Sequence, residues 1–304
     1  MIPKIIHYCW FGRGEMPTLA KKCIASWKKF CPDYELRLWN EDSFDVNSHP
    51  FVKEAYEARK FAFVTDYVRL WALVKEGGIY MDTDVEVLKP LDEFLSLPAF
   101  SGFETESSVP TGIMASEKNG IWVKDLLGYY EGRHFISQGG RMDMTTNVMI
   151  ITNMMRGGGF RFDNTKQDFQ GMVTMFPKDF FCPKSWETGE IRLTANTYTI
   201  HHFAASWHSR RERIYYWTKR RFGARAAYAV SLMFLLFRNP QKNWASLSRR
   251  VGRIKQGGGI NNSADGNIVT FSQEIYLIGR ERVASRFREA ALFAYSITTE
   301  RSAA

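Results

Sequence analysis

Over the first two hundred positions, apolar residues gather in short runs, and most runs are closed by glycine or proline. Lys4–Trp10 is a mostly apolar run closed by Gly12 and Gly14, the mark of a buried strand leading into a loop. Leu19–Phe30 has helical spacing and stops before Pro32, and Tyr34–Trp39 alternates like a second strand. Phe51–Glu76 reads as a long helix ended by Gly77-Gly78. Ile79–Leu88 then alternates with period two until Pro90, and further strands are expected at Ala99–Phe103, Asn147–Thr152 and Tyr198–Phe203. Strands interleaved with helices over this length predict an α/β fold. Gly257-Gly258-Gly259, followed by Asn261-Asn262-Ser263, reads as a linker, and Gln273–Tyr295 as an amphipathic helix.

Two of these segments carry charge where a core element should not. If Ile79–Leu88 is one strand, Tyr80, Asp82, Asp84 and Glu86 share a face, with Ile79, Met81, Val85 and Val87 on the other. The apolar face belongs to the core. Three acids at alternate positions repel one another and favour a cation, and carboxylate oxygens suit hard ions such as Mg²⁺ or Mn²⁺. A bare Asp-x-Asp is weak evidence, because chance supplies about one in a chain of this length. Its neighbourhood adds weight: from Phe61 to Val74 the only charged residues are Asp66 and Arg69, on a helix apolar over nearly every face. Such a helix is buried. A buried ion pair is seldom kept for stability alone, since desolvation offsets much of the attraction.

The composition, 45% hydrophobic and 24% charged over 304 residues, is that of a globular protein with a sizeable core and excludes a disordered chain. Aromatics reach 15%, which suits core packing and also the flat faces of sugars and bases. The net charge of +9 is not spread evenly: Arg210–Lys255 holds thirteen Lys and Arg against one acid, Glu212, leaving about −3 for the rest. Within that segment Ala226–Phe237 is a twelve-residue apolar stretch, short of the roughly twenty needed to cross a bilayer. The four cysteines, Cys9, Cys23, Cys31 and Cys182, form no CxxC pair. The opening residues run directly into the first strand without a secretory pattern, so reduced thiols and a cytoplasmic setting are expected.

Four ordered motifs resemble glycosyltransferase family 32: Ile2-Pro3-Lys4-Ile5-Ile6-His7-Tyr8-Cys9-Trp10-Phe11-Gly12, Ser26-Trp27, Phe63-Val64-Thr65-Asp66-Tyr67-Val68-Arg69, and Gly77-Gly78-Ile79-Tyr80-Met81-Asp82-Thr83-Asp84. Ile200-His201-His202-Phe203-Ala204-Ala205-Ser206-Trp207 is similar to that family's C-terminal motif. The resemblance covers roughly residues 1–210. It implies a GT-A fold, with a Rossmann-like, mostly parallel sheet flanked by helices, and a nucleotide sugar held at the strand ends with a divalent metal on its diphosphate. It also implies transfer with retention of anomeric configuration from a UDP- or GDP-sugar, in the synthesis of surface or capsular polysaccharide.

By that resemblance Trp10 is the ring that stacks on the donor base, and Asp66 and Arg69 grip sugar and ribose hydroxyls. Asp82 contacts ribose and metal-bound water, and Asp84 ligates the metal. His7, Tyr80 and Ser206 fall among the donor-binding residues, and Trp207 joins the catalytic set of Asp66, Arg69, Asp82 and Asp84. His201 or His202 completes the metal sphere, and strand alternation lets only one of them face it; His201 is the choice here. The expected division is a catalytic domain over 1–209, a basic helical segment over 210–256, and a linker with a terminal helix over 257–304. The basic segment is expected to hold the enzyme on the inner, anionic face of the plasma membrane, near a glycan or lipid-linked acceptor. Competing expectations are a nucleotide-sugar hydrolase using the same metal, a donor-binding module without activity, and a basic nucleic-acid-binding protein. The last is disfavoured because the charge lies after residue 210, away from the aromatic-rich first half.

Overall fold

The computed structural model describes residues 1–204, 210–223, 226–228 and 230. The chain divides into one unit over Met1–Trp207 and a second over His208–Ala304. The linker at Gly257, the helix at Gln273–Tyr295 and most of the apolar stretch Ala226–Phe237 lie outside the described residues, as do Ser206 and Trp207.

The first unit opens with strand β1 (Ile5–Cys9), helix α1 (Thr18–Phe30) and strand β2 (Glu35–Trp39). The long helix expected over Phe51–Glu76 is two: α2 (Pro50–Glu57) and α3 (Phe61–Glu76). Between them Arg59 sits at φ 56°, which no helix interior accepts, and the chain turns there. Pro50 at the first helical position and the His49 side chain, which accepts the Phe51 amide at 3.2 Å, start α2. Helix α3 ends at Gly77 (φ 70°) and Gly78 (φ 111°). A Cβ on Gly78 would come within 2.7 Å of the Ile5 carbonyl oxygen, so the helix can enter the sheet this closely only through glycine.

Strands β3 (Gly78–Met81) and β4 (Val85–Val87) replace the single strand expected over Ile79–Leu88. The Val85 amide donates to the Asp82 carbonyl at 2.9 Å, closing a turn over Asp82-Thr83-Asp84, and β4 leaves for another sheet. Then come β5 (Ala99–Gly102), β6 (Ile113–Ser116), α4 (Ile121–Gly128), α5 (Asn147–Gly157), β7 (Gln167–Phe169), β8 (Val173–Phe176), α6 (Lys178–Phe181) and β9 (Thr199–His201). Asn147–Thr152, expected as a strand, is the start of α5. Thr146 caps that helix by accepting the Met149 amide at 3.4 Å.

The main sheet runs β2-β1-β3-β6-β5-β8-β7, with β6 and β7 antiparallel to their neighbours, so five of seven strands point the same way. Each face is covered. Tyr80, Met114, Phe103 and Met175 pack on one side with Val64, Val68 and Leu73 of α3 and Ile151 of α5. Ile6, Ile79, Met81, Phe100 and Ile113 pack on the other with Trp27 of α1. This is the α/β class and the mostly parallel sheet expected from the sequence. β4 and β9 form a separate antiparallel pair with Val85 opposite His201. In the second unit, helix α7 (Arg210–Phe222) begins the basic segment.

Candidate active site

The sheet's polarity decides where chemistry can sit. β1, β3 and β5 all end on the same edge, so Trp10, Asp82 and Glu104 follow there, while antiparallel β6 begins there just after Gly112. Sites in open α/β sheets form at such carboxyl ends.

Three ligand-type side chains converge at this edge. One oxygen each from Asp82 and Asp84 and one imidazole nitrogen of His201 lie within 4.8 Å of one another. His201 Nε2 is 3.4 Å from Asp84 and 3.9 Å from Asp82. The β4–β9 register brings this about: the turn delivers both aspartates, and the strand after it pairs its first residue with His201. His202 goes elsewhere, with Nε2 2.8 Å from Glu86. Glu86 therefore does not share the aspartates' site, contrary to the face expected from alternation. The Asp84 carboxylate also accepts the Ala204 amide at 2.6 Å, which ties the chain after β9 to the turn.

Electrostatics follow from burial. Burial alone would raise Asp84, but the charge and hydrogen bond of His201 and the Ala204 amide outweigh it and hold Asp84 at about 2. Burial likewise opposes protonation of His201, and Asp84 overcomes it, raising the imidazole well above its usual range. Two carboxylates and an imidazole fit Mn²⁺ or Mg²⁺ in donor chemistry. Gly112 floors the cluster: a Cβ there would lie 3.1 Å from His201 Nδ1 and 3.2 Å from Asp82.

Asp66 and Arg69 adjoin this cluster. Both are buried, and the guanidinium stands 3.0 Å from Asp66 and 3.3 Å from Asp82. It also lies over the Tyr80 ring, 4.5 Å from its centre, and the Tyr80 hydroxyl donates to Asp82 at 2.9 Å. Burial lifts Asp66 to about 6 against the pull of Arg69. Arg69 thus links the α3 acid to the turn acid, and Tyr80 supports both from β3.

Trp10 stands at the same edge, with its indole N–H donating to the Gly14 carbonyl at 2.6 Å. His7 does not reach the site. It is fully buried, accepts from the Trp39 indole at 3.1 Å through Nδ1, and uses Nε2 on the Gly77 carbonyl at 2.7 Å. Its place in the motif is explained by joining β1, β2 and the end of α3.

Two site residues escaped sequence reasoning. Asn147 begins α5, donates its amide to Asp66 at 3.1 Å, and has a buried side-chain oxygen with no partner among the described residues. Glu104, mostly buried, lies 3.9 Å from His201 Nδ1; burial raises it to about 7. A polar residue just beyond an apolar strand was the available signal for Glu104. Asn147 was hidden by the strand reading of its segment.

The mostly parallel sheet carries acids, a histidine and a buried Arg–Asp pair at its carboxyl edge, the arrangement that the resemblance to GT-A sugar transferases implies. Residues 17–101 match the family described as "Glycosyltransferase sugar-binding region containing DXD motif", and over this region the chain is similar to the DXD glycosyltransferases. It is 34% identical over 125 residues to inositol phosphoceramide mannosyltransferase 3 of Schizosaccharomyces pombe, covering 38% of this chain and 34% of that one. It is 22% identical over 241 residues to inositol phosphoceramide mannosyltransferase 2 of the same yeast, covering 78% and 66%. The match thus spans about a third of the first of these relatives. Among solved structures, a galactosyltransferase, LgtC, in complex with donor and acceptor sugar analogues aligns at TM-score 0.38 and 14% identity, over 75% of this chain and 95% of that one.

Proposed function

We propose that the chain transfers a hexose from a nucleoside-diphosphate sugar to a hydroxyl of a glycan or lipid-linked acceptor. The observation that carries this reading is the Asp82–Asp84–His201 cluster beside the Asp66–Arg69 pair at the carboxyl edge of the sheet. Asp82, Asp84 and His201 would hold Mn²⁺ or Mg²⁺, which when bound neutralises the departing diphosphate. The protein's own part is positioning. Arg69, fixed by two carboxylates and a ring, offers its remaining donors to sugar hydroxyls. The unpartnered Asn147 oxygen beside Asp66 suits a hydroxyl donor, and Trp10 offers a flat face for the base. Ser206 and Trp207 stay with this set on sequence resemblance. Retention of configuration is part of the proposal.

A panel of GDP- and UDP-sugars incubated with Mn²⁺ tests it, GDP-mannose first because of the relatives' names. Slow release of free nucleoside diphosphate from one donor is expected, abolished by EDTA and accelerated by a glycolipid acceptor. Release that ignores every acceptor would favour a hydrolase. No cleavage of any donor would remove the reading.

The concentration of positive charge after residue 210 supports a second element of the proposal, attachment to an anionic membrane surface where a lipid-linked acceptor of surface-polysaccharide assembly resides. Helix α7 exposes Lys219 and Arg221, and Trp217 is 40% exposed on the same helix. Among the described residues no helix is long and apolar enough to cross a membrane. Co-sedimentation with phosphatidylserine vesicles is expected, weakening in high salt and when Lys219, Arg220 and Arg221 become Glu. Equal recovery in the supernatant with and without anionic lipid would refute attachment.

A further inference from the structure

The His201 imidazole has two unlike sides. Nε2 faces Asp84 and Asp82. Nδ1 is buried, makes no hydrogen bond among the described residues, and lies 3.9 Å from the Glu104 carboxylate. The ring is held in this pose. Phe203 packs on it with centroids 4.2 Å apart, and Gly112 leaves no slack on the side of Nδ1. Glu104 is itself fixed: its amide donates to the Ser108 carbonyl at 2.9 Å, and its side chain is only 18% exposed. Among the described residues His201 is the ionic partner it meets. The Cys182 thiol also borders the imidazole, but a thiol is a weak acceptor.

A histidine that ligates through one nitrogen carries its proton on the other, and that N–H needs an acceptor. Burial removes water as the candidate, and Glu104 is the carboxylate on that side. A shift of about 1 Å brings the pair to hydrogen-bond length. We propose that Glu104 is a positioning residue: it accepts the Nδ1 proton of His201, keeps the Nε2 lone pair aimed between Asp82 and Asp84, and thereby sets the site's affinity for a divalent cation. This rests on the reading of those three residues as a cation site.

The experiment is an electron paramagnetic resonance titration of the full chain with Mn²⁺ in the presence of GDP or UDP, comparing wild type, Asp84→Asn, Glu104→Gln and Glu104→Leu. Glu104→Leu is expected to weaken Mn²⁺ binding about 10–100-fold with an unchanged circular dichroism spectrum, the usual cost of losing such a partner. Glu104→Gln keeps an acceptor oxygen and is expected to retain most of the affinity. Nitrogen-15 spectra of the Mg²⁺-loaded wild type should show His201 protonated at Nδ1, a signature that does not depend on any variant folding. Wild-type affinity in Glu104→Leu, equal losses in Gln and Leu, or His201 protonated at Nε2 would each overturn the proposal while leaving the cation site intact. A wild-type chain that binds no Mn²⁺ under these conditions would overturn both.

Discussion

Asp84→Asn is expected to lower sugar transfer by about a hundredfold or more, the scale of losing one main electrostatic stabiliser, and to abolish Mn²⁺-dependent binding of the nucleotide. The sequence alone suggests that removing one like charge from an acid strand spares stability. The structure revises this. Asp84 is partly buried, pairs with His201 and accepts the Ala204 amide, so its carboxylate supports the fold of the cation-free chain. A value near 2 against an ordinary 3.8 corresponds to roughly 2 kcal/mol, present above pH 4 and lost as pH falls through 2. Asn retains the oxygen that Ala204 needs, and Ala does not, so Asp84→Ala should melt lower than Asp84→Asn. The same pairing makes cation binding compete with a proton on His201. Apparent Mn²⁺ affinity should therefore climb about tenfold per pH unit while His201 is protonated in the free chain. Calorimetry at several pH values reads the slope. A flat profile, or full activity in Asp84→Asn with Mn²⁺, would remove Asp84 and His201 from the cation site.

What the sequence could say depended on how local each signal was. The buried strand at Ile5–Cys9 and the glycine stop at Gly77-Gly78 are written in neighbouring residues, and both were legible. Period-two alternation over Ile79–Leu88 was also real, yet it could not reveal the turn inside it. Val85–Val87 keeps the alternation because it is again a strand, paired with β9 instead of the main sheet. The pattern survives a change of partner that periodicity does not register. Asp-Thr-Asp, residues with turn-forming side chains, was the overlooked hint. Asn147–Thr152 failed for another reason: the five apolar and β-branched residues after Asn147 fit strand and helix alike. The deciding features were the Thr146 cap and the eleven-residue run to Gly157. Glu104 and Gly112 enter the site from loops at the ends of β5 and β6, and only the sheet order brings them to His201.

Arg69 is where removing one side chain should disturb the most. Its guanidinium lies between the buried Asp66 carboxylate and Asp82 and rests on Tyr80. Arg69→Ala leaves the two acids facing each other without their cation, a change that costs about 3–5 kcal/mol in buried pairs. At two to four degrees per kcal/mol for a domain of this size, the melting temperature should fall by about ten degrees. The loss should shrink as pH is lowered towards 6, because Asp66, raised by burial and freed in the variant from the pull of Arg69, takes up a proton and the uncompensated charge disappears. Sugar transfer is expected to vanish as well, and the single variant cannot separate collapse from lost chemistry. The pair Asp66→Asn with Arg69→Met can. It removes both charges, and such neutral replacements are often tolerated, so most of the melting temperature should return. If Asp66 and Arg69 hold the donor sugar, turnover stays absent in that double variant while binding of free GDP or UDP with Mn²⁺ recovers. Recovery of turnover together with stability would mean that the pair only braces α3 against the turn. A wild-type melting temperature in Arg69→Ala would mean that the two acids do not depend on the guanidinium between them.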